Sequence, residues 1–342
     1  MRSACLALGL VAAAHPPSQP HSFVERAVVT VLARDAEGAV RAQCTGILLS
    51  PRGQVLTSMH PFHAAPPTEI RTADGTVYRV KDVAAQSATA ELVRLEVDVP
   101  EGVWLPSVQL GEAPPEAGAT VTVVTPQHRA KGTVEAARSV SGFATLLRVK
   151  APAPEDPTGA PLVDASGAVV GMILWPSRRQ QGFYVAASAE LAGQLHPRPS
   201  EAQTPAACSG ESEGLYRDGI ERLIAQEFEE ARQDFERATA ADPRCAPGWL
   251  HLGFALGKLG RTAERLKAYQ KAIEVRPDFA DAHYSLGVAY ALANRRTEAL
   301  EHQQVLEKLD RELAHKLRLL IEAITHGETM WPAALGDPAT RI

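Results

Sequence analysis

A chain of 342 residues exceeds what one hydrophobic core usually organises, so two domains are expected. An apolar share of 45% and a charged share of 22% are those of ordinary globular protein. The formal net charge of −5 gives no electrostatic reason to expect nucleic acid or an anionic membrane surface as a partner.

The chain opens with Met1 and Arg2, a small apolar run from Ala4 to Ala14, and a Pro-rich stretch from His15 to Pro20. One positive charge, a short apolar run and a small-residue end predict a secretory signal peptide over residues 1–16. The competing reading is an irregular Ala-rich N-terminus. The run is too short to span a bilayer, which needs about 20 apolar residues, and no later stretch is long and apolar enough. Export to the periplasm or the medium is the expected location.

Four cysteines stand at 5, 44, 208 and 245. If Cys5 leaves with the signal, an odd thiol remains, and a Cys208–Cys245 bridge is conceivable in an oxidising compartment. Neither a CxxC nor a His/Cys cluster argues for a metal, and no cofactor is implied. His60 and His63 flank Pro61, which makes a regular ligand-bearing helix there unfavourable.

Residues 22–197 form the first expected domain. Within it, Ala27–Ala33, Thr45–Leu49, Leu92–Val97, Thr120–Val124, Ala144–Val149 and Val169–Leu174 read as short strands. Turn residues stand between them, as at 35–38, 51–53 and 164–167. Many short strands at this spacing predict a barrel or sandwich. Residues 198–211 are rich in Pro, Ser, Ala and Gln and read as a linker.

Beyond the linker the apolar period changes to the helical value, and the chain repeats every 34 residues. Gly219, Gly253 and Gly287 keep that spacing, as do Leu215, Trp249 and His283 ahead of them. Ala231 and Ala299, Phe235 and Tyr269, and Ala238 and Ala272 follow in each second helix, and Pro243 and Pro277 close the first two units. This pattern is identified as that of tetratricopeptide (TPR) repeats. It implies an all-α solenoid of helical hairpins over 212–326, with a capping helix from Arg311 to about His326 and a tail over 327–342. The third unit departs from the pattern at Gln303, Leu306 and Arg311.

Within the first domain, Cys44 to His60 forms a strand, a turn and a Thr-Ser-Met-His segment. Glu91 to Val97 follows, then Asp156-Pro-Thr-Gly-Ala-Pro-Leu-Val163, the hairpin 164–171, and Gly182-Phe-Tyr-Val-Ala. In that order these segments resemble the HtrA/Deg family of trypsin-like serine proteases over nearly all of residues 23–195. The resemblance implies an all-β, chymotrypsin/trypsin-like double β-barrel ahead of the repeats. It places His60, Glu91 and Thr158 at the catalytic histidine, acid and nucleophile positions, with Asp156 and Pro157 in the oxyanion region.

The departures fall where the chemistry would occur. A triad needs a nucleophile whose proton passes to the imidazole and an acid that fixes the tautomer. Thr158 carries an extra methyl that restricts χ1 and crowds attack on a carbonyl. Asp156 replaces a glycine whose N–H helps form the oxyanion hole, and it adds negative charge where negative charge must be stabilised. Pro157 and Ala160 change the same turn. The expected outcome is an inactive, peptidase-like barrel. The alternative is an active endopeptidase using His60, Glu91 and Thr158, and a third reading makes the barrel a structural spacer.

In such solenoids the first helix of each unit lines a concave groove. Tyr216 with Ile220, Leu250 with Phe254, and Tyr284 with Val288 are spaced by four, so each pair shares a helix face and the three faces stack. Arg217 and Arg222 stand near one end. This predicts an apolar groove for a peptide or protein partner. The other reading has the barrel or the C-terminal segment covering the same stripe.

Overall fold

The computed structural model describes residues 21–62, 65–87, 91–111, 113–140, 144–152, 156–197 and 208–325. The expected signal peptide, most of the linker, His63 and the tail over 327–342 lie outside the described residues. A short helix α1 (His21–Ala27) leads into the strands β1 (Val28–Arg34), β2 (Val40–Leu48), β3 (Gln54–Ser58), β4 (Glu69–Arg71), β5 (Val77–Ser87) and β6 (Leu92–Val97). These order as β5-β4-β1-β2-β3-β6, and a β5–β6 pairing closes the first antiparallel barrel, with β13 (His196–Pro197) added beside β5.

The second closed barrel runs β10-β11-β12-β9-β8-β7. Its strands are β7 (Thr120–Val124), β8 (Arg129–Val140), β9 (Ala144–Lys150), β10 (Pro161–Val163), β11 (Val169–Pro176) and β12 (Phe183–Ser188). Alternation along the first half of β8, with Ala130, Gly132-flanking Lys131 and Thr133, and Val134 turning in and out, is what a strand with one buried face requires. β12 is buried along its whole length because it sits between β9 and β11 with cover on both faces.

Seven helices follow among the described residues: α2 (Glu211–Ile224), α3 (Phe228–Ala241), α4 (Ala246–Lys258), α5 (Thr262–Val275), α6 (Ala280–Leu292), α7 (Arg296–Leu309) and α8 (Arg311–Thr325). They pack as the hairpins α2/α3, α4/α5 and α6/α7, with α8 closing the end. A double barrel followed by a helical-hairpin solenoid is the architecture expected from the sequence.

The glycine column explains the hairpin packing. A Cβ on Gly219 would lie 2.6 Å from the Phe235 ring, and one on Gly253 would lie 2.4 Å from the Tyr269 ring. Each glycine thus admits the aromatic side chain that fills its own hairpin. In the third unit Gln303 stands where the aromatic should be, and Leu317 of α8 fills the space instead, 2.4 Å from a Cβ placed on Gly287. The worn repeat is completed by its cap.

One apolar core runs from the first barrel through Met59 and Trp175 into Tyr216, Ile220 and Phe235 of the first hairpin. A Cys208–Cys245 disulfide ties the end of the linker to the start of α4, and Cys44 is a buried free thiol. No helix among the described residues is long and apolar enough to cross a membrane.

Candidate functional site

Strand β3 carries the chain to His60 at the head of a single 3₁₀ turn. Buried Ser58 accepts from the His60 amide at 3.3 Å and donates to the Leu174 carbonyl at 3.2 Å, which binds this end of the first barrel to β11 of the second. His60 therefore sits in the seam between the barrels, 6.1 Å from the Trp175 ring and nearly edge-on to it. Glu91 stands in the turn immediately before β6 with φ of 50°, its carbonyl accepting from the Met59 amide at 2.8 Å, and it is buried. His60 and Glu91 line one cavity of about 10 Å³, which also touches Cys208, Glu213, Tyr216 and Arg217.

The neighbours of the imidazole come from the repeats. His60 Nδ1 faces Glu213 Oε1 at 3.0 Å, and Nε2 faces Arg217 Nη1 at 3.2 Å. A guanidinium can only donate and a carboxylate can only accept, so the hydrogen-bond network assigns the proton to Nδ1. The lone pair on Nε2, the one a general base would use on a nucleophile, is directed at Arg217.

Thr158 lies on the loop between β9 and β10, with its hydroxyl donating to Asp156 Oδ1 at 2.5 Å. Its amide donates to the same oxygen at 3.0 Å. The loop is held rigidly: Thr45 N donates to Thr158 O at 2.9 Å, and Gly159 N donates to Ile173 O at 2.7 Å. Gly159 has φ of +77°, and a Cβ there would lie 1.9 Å from the Thr45 carbonyl oxygen, so only glycine fits. In a trypsin-like site the nucleophile's own N–H helps to hold the oxyanion; the Thr158 N–H is taken by a carboxylate. Asp156 lines a separate cleft of about 260 Å³ between the barrels, with Gln43, Arg71 and His128. Beside that loop, burial pushes the Cys44 thiol up to about 12, so it is no thiolate nucleophile at neutral pH.

Of the six groove positions, Tyr216, Ile220, Leu250 and Phe254 are buried, while Tyr284 and Val288 are half-buried. Four of the six side chains expected to line a groove are thus buried within the protein. Tyr216 packs against Phe235 of its own hairpin, ring centroids 6.0 Å apart, and edge-on against His251 of α4 at 5.6 Å, and it also lines the His60 cavity. Glu213, Glu221 and the Ser177–Arg179 turn were not singled out by sequence reasoning. The available signal was the spacing of four that joins Glu213, Arg217 and Glu221 on one face of the helix.

Comparison with known proteins agrees with this architecture. Residues 44–172 match the family model of a trypsin-like peptidase domain, and residues 258–293 match that of a TPR repeat. The chain therefore joins a trypsin-like peptidase domain to TPR repeats. Among solved structures, a serine endoprotease from Yersinia pestis is 19% identical, with 52% of this chain and 63% of that chain covered and a TM-score of 0.43. The active form of the Rv3671c protease from M. tuberculosis is 18% identical, with 54% and 87% covered and a TM-score of 0.44. Among curated proteins, Superkiller protein 3 of Saccharomyces cerevisiae is 31% identical over 96 residues, 28% of this chain and 6% of its own length. The peroxisomal targeting signal receptor of Candida albicans is 35% identical over 84 residues, 25% of this chain and 14% of its own length. The chain spans only a small part of the curated relatives it matches.

Proposed function

We propose that this chain is a non-catalytic interaction protein, in which a peptidase-like barrel serves as a binding or scaffolding domain for the repeat module. The observation that carries this reading is the single oxygen Asp156 Oδ1, which takes both the hydroxyl and the amide of Thr158. An attacking hydroxyl must pass its proton to a base, and here it is bonded to a carboxylate two residues away. Loss of one oxyanion donor costs about 10²–10³ in rate. Arg217 on His60 Nε2 supports the same reading from the other side of the site.

Export also belongs to this proposal. The signal-like residues 1–16 and a disulfide at Cys208–Cys245 both suit an oxidising compartment. TPR repeats imply protein–protein interaction, and a peptide or protein partner is the class proposed.

The test is degradation of unfolded casein by purified residues 22–342 beside the Thr158→Ala and His60→Ala variants. Equal background in all three is expected. Activity in the parent that disappears in both variants would make the barrel a threonine-dependent endopeptidase.

A further inference from the structure

Helix α2 does more than begin the solenoid. Glu213, Arg217 and Glu221 recur every four residues, so they form one stripe along its surface. Each of the three meets the barrel. Glu213 reaches His60 Nδ1, and Arg217 donates to the Pro176 carbonyl at 3.3 Å while its guanidinium stands 5.5 Å from the Trp175 ring centroid. Glu221 accepts from Ser177 Oγ at 2.6 Å and from the Arg178 amide at 3.3 Å. At the rim, Glu227 pairs with Arg179 at 3.2 Å. A Cβ on Gly214 would fall 1.6 Å from Arg178 Nη1, so that side chain lies directly across the helix.

On the barrel side, the surface from His60 to Arg179 therefore receives three carboxylates, through an imidazole, a hydroxyl, a backbone amide and a guanidinium. On the helix side, the contact is costly. Burial raises the Glu221 carboxyl and lowers the Arg217 guanidinium from their ordinary values. Trp175 Nε1 and Arg217 Nε are buried without a hydrogen-bond partner. Beside the apolar core that Met59 and Trp175 share with Tyr216 and Ile220, this seam is made of desolvated, incompletely matched polar groups, which hold two surfaces together less firmly than apolar packing of the same area.

We propose that the His60–Arg179 face of the barrel is a receptor for an acidic helix, that α2 is its resident ligand, and that the same face takes an acidic helical segment of a partner when α2 lifts away. The partner's recognition stripe is carboxylate, three residues, cation, three residues, carboxylate. This inference goes beyond the non-catalytic reading and does not rest on it, since it concerns occupancy of the face and not the reactivity of Thr158.

The experiment uses the full chain, the triple variant Glu213→Gln/Arg217→Ala/Glu221→Gln, and a synthetic peptide of residues 211–227 as probe. Hydrogen exchange should quicken at least tenfold at 58–62 and 173–179 in the triple variant, with β1, β4 and α6–α8 unchanged. The peptide should bind the variant at least tenfold more tightly than the parent, and a scrambled peptide should bind neither. Gly214→Leu provides a second opening. It raises helix propensity while colliding with Arg178, so a purely structural role for α2 predicts no faster exchange at 58–62 and 173–179, whereas undocking predicts faster exchange there. Unchanged exchange in both variants, or an opened face that binds the peptide no better than the scrambled one, overturns the proposal. Exchange at 58–62 and 173–179 that quickens only together with that of β1, β4 and α6–α8 in both variants overturns it as well.

Discussion

Around position 158 the decisive contacts are two hydrogen bonds to one carboxylate oxygen, and they make the consequences of substitution specific. Thr158→Ser alone leaves casein untouched, because Asp156 Oδ1 still takes the hydroxyl and the amide. Any gain of hydrolysis requires Asp156→Gly as well, and hydrolysis by the single Thr158→Ser variant would contradict this account. Gly159→Ala acts on the fold instead. Its φ of +77° and the Thr45 carbonyl 1.9 Å from the new Cβ predict a loss of at least about 1–3 kcal/mol, read from the midpoint of urea unfolding. The sequence alone placed His60, Glu91 and Thr158 in order, because the flanking turns and strands have recognisable residue types. It did not reveal that Glu213 and Arg217 occupy the two nitrogens of His60, since such a contact joins positions more than 150 residues apart and follows only from docking of the two halves.

Among the helices, the glycine column was legible because its spacing of 34 is periodic, whereas the replacement of an aromatic by Leu317 was not, since α8 lies outside the repeat. Gly253→Ala sets a small gain in helix propensity against overpacking of the Tyr269 ring. Overpacking wins, with an expected net loss of about 1–2 kcal/mol in chemical unfolding. Acid acts on the same hairpins. His251 is held down to about 4 by burial, and His302 to about 4 by burial and by His283. His283 Nε2 is 2.9 Å from the Pro277 carbonyl, and its Nδ1 is 3.0 Å from His302 Nδ1. Nε2 must donate there, so His283 Nδ1 accepts from His302 and the pair holds together neutral. Unfolded histidines take up protons near pH 6.5, but folded His251 and His302 do so only near 4. The unfolded chain therefore binds more protons between those values, and repeat stability falls as pH drops from about 6.5 toward 4. Thermal melts followed by circular dichroism between pH 7.5 and 4.5 should show a steadily falling midpoint, and a constant or rising one would exclude the effect.

Across the whole molecule, two domains that are separate in sequence pattern share one core and one polar seam. The change from strand to helical periodicity marked the boundary but carried no sign of the docking, because Ser177–Arg179 reads as an ordinary turn. The Cys208–Cys245 bond closes a loop with a sequence separation of 37, for which chain entropy predicts about 3–4 kcal/mol of stabilisation. Cys208→Ser should lower the free energy of unfolding by that amount, and added reductant should then have no further effect on the variant. The central claim, that the barrel's nucleophile position is chemically silent, is tested most directly with a fluorophosphonate. Intact mass after incubation of the full chain should show no adduct. One adduct per chain, mapped to Thr158 and abolished by His60→Ala, would contradict the account and establish a working nucleophile.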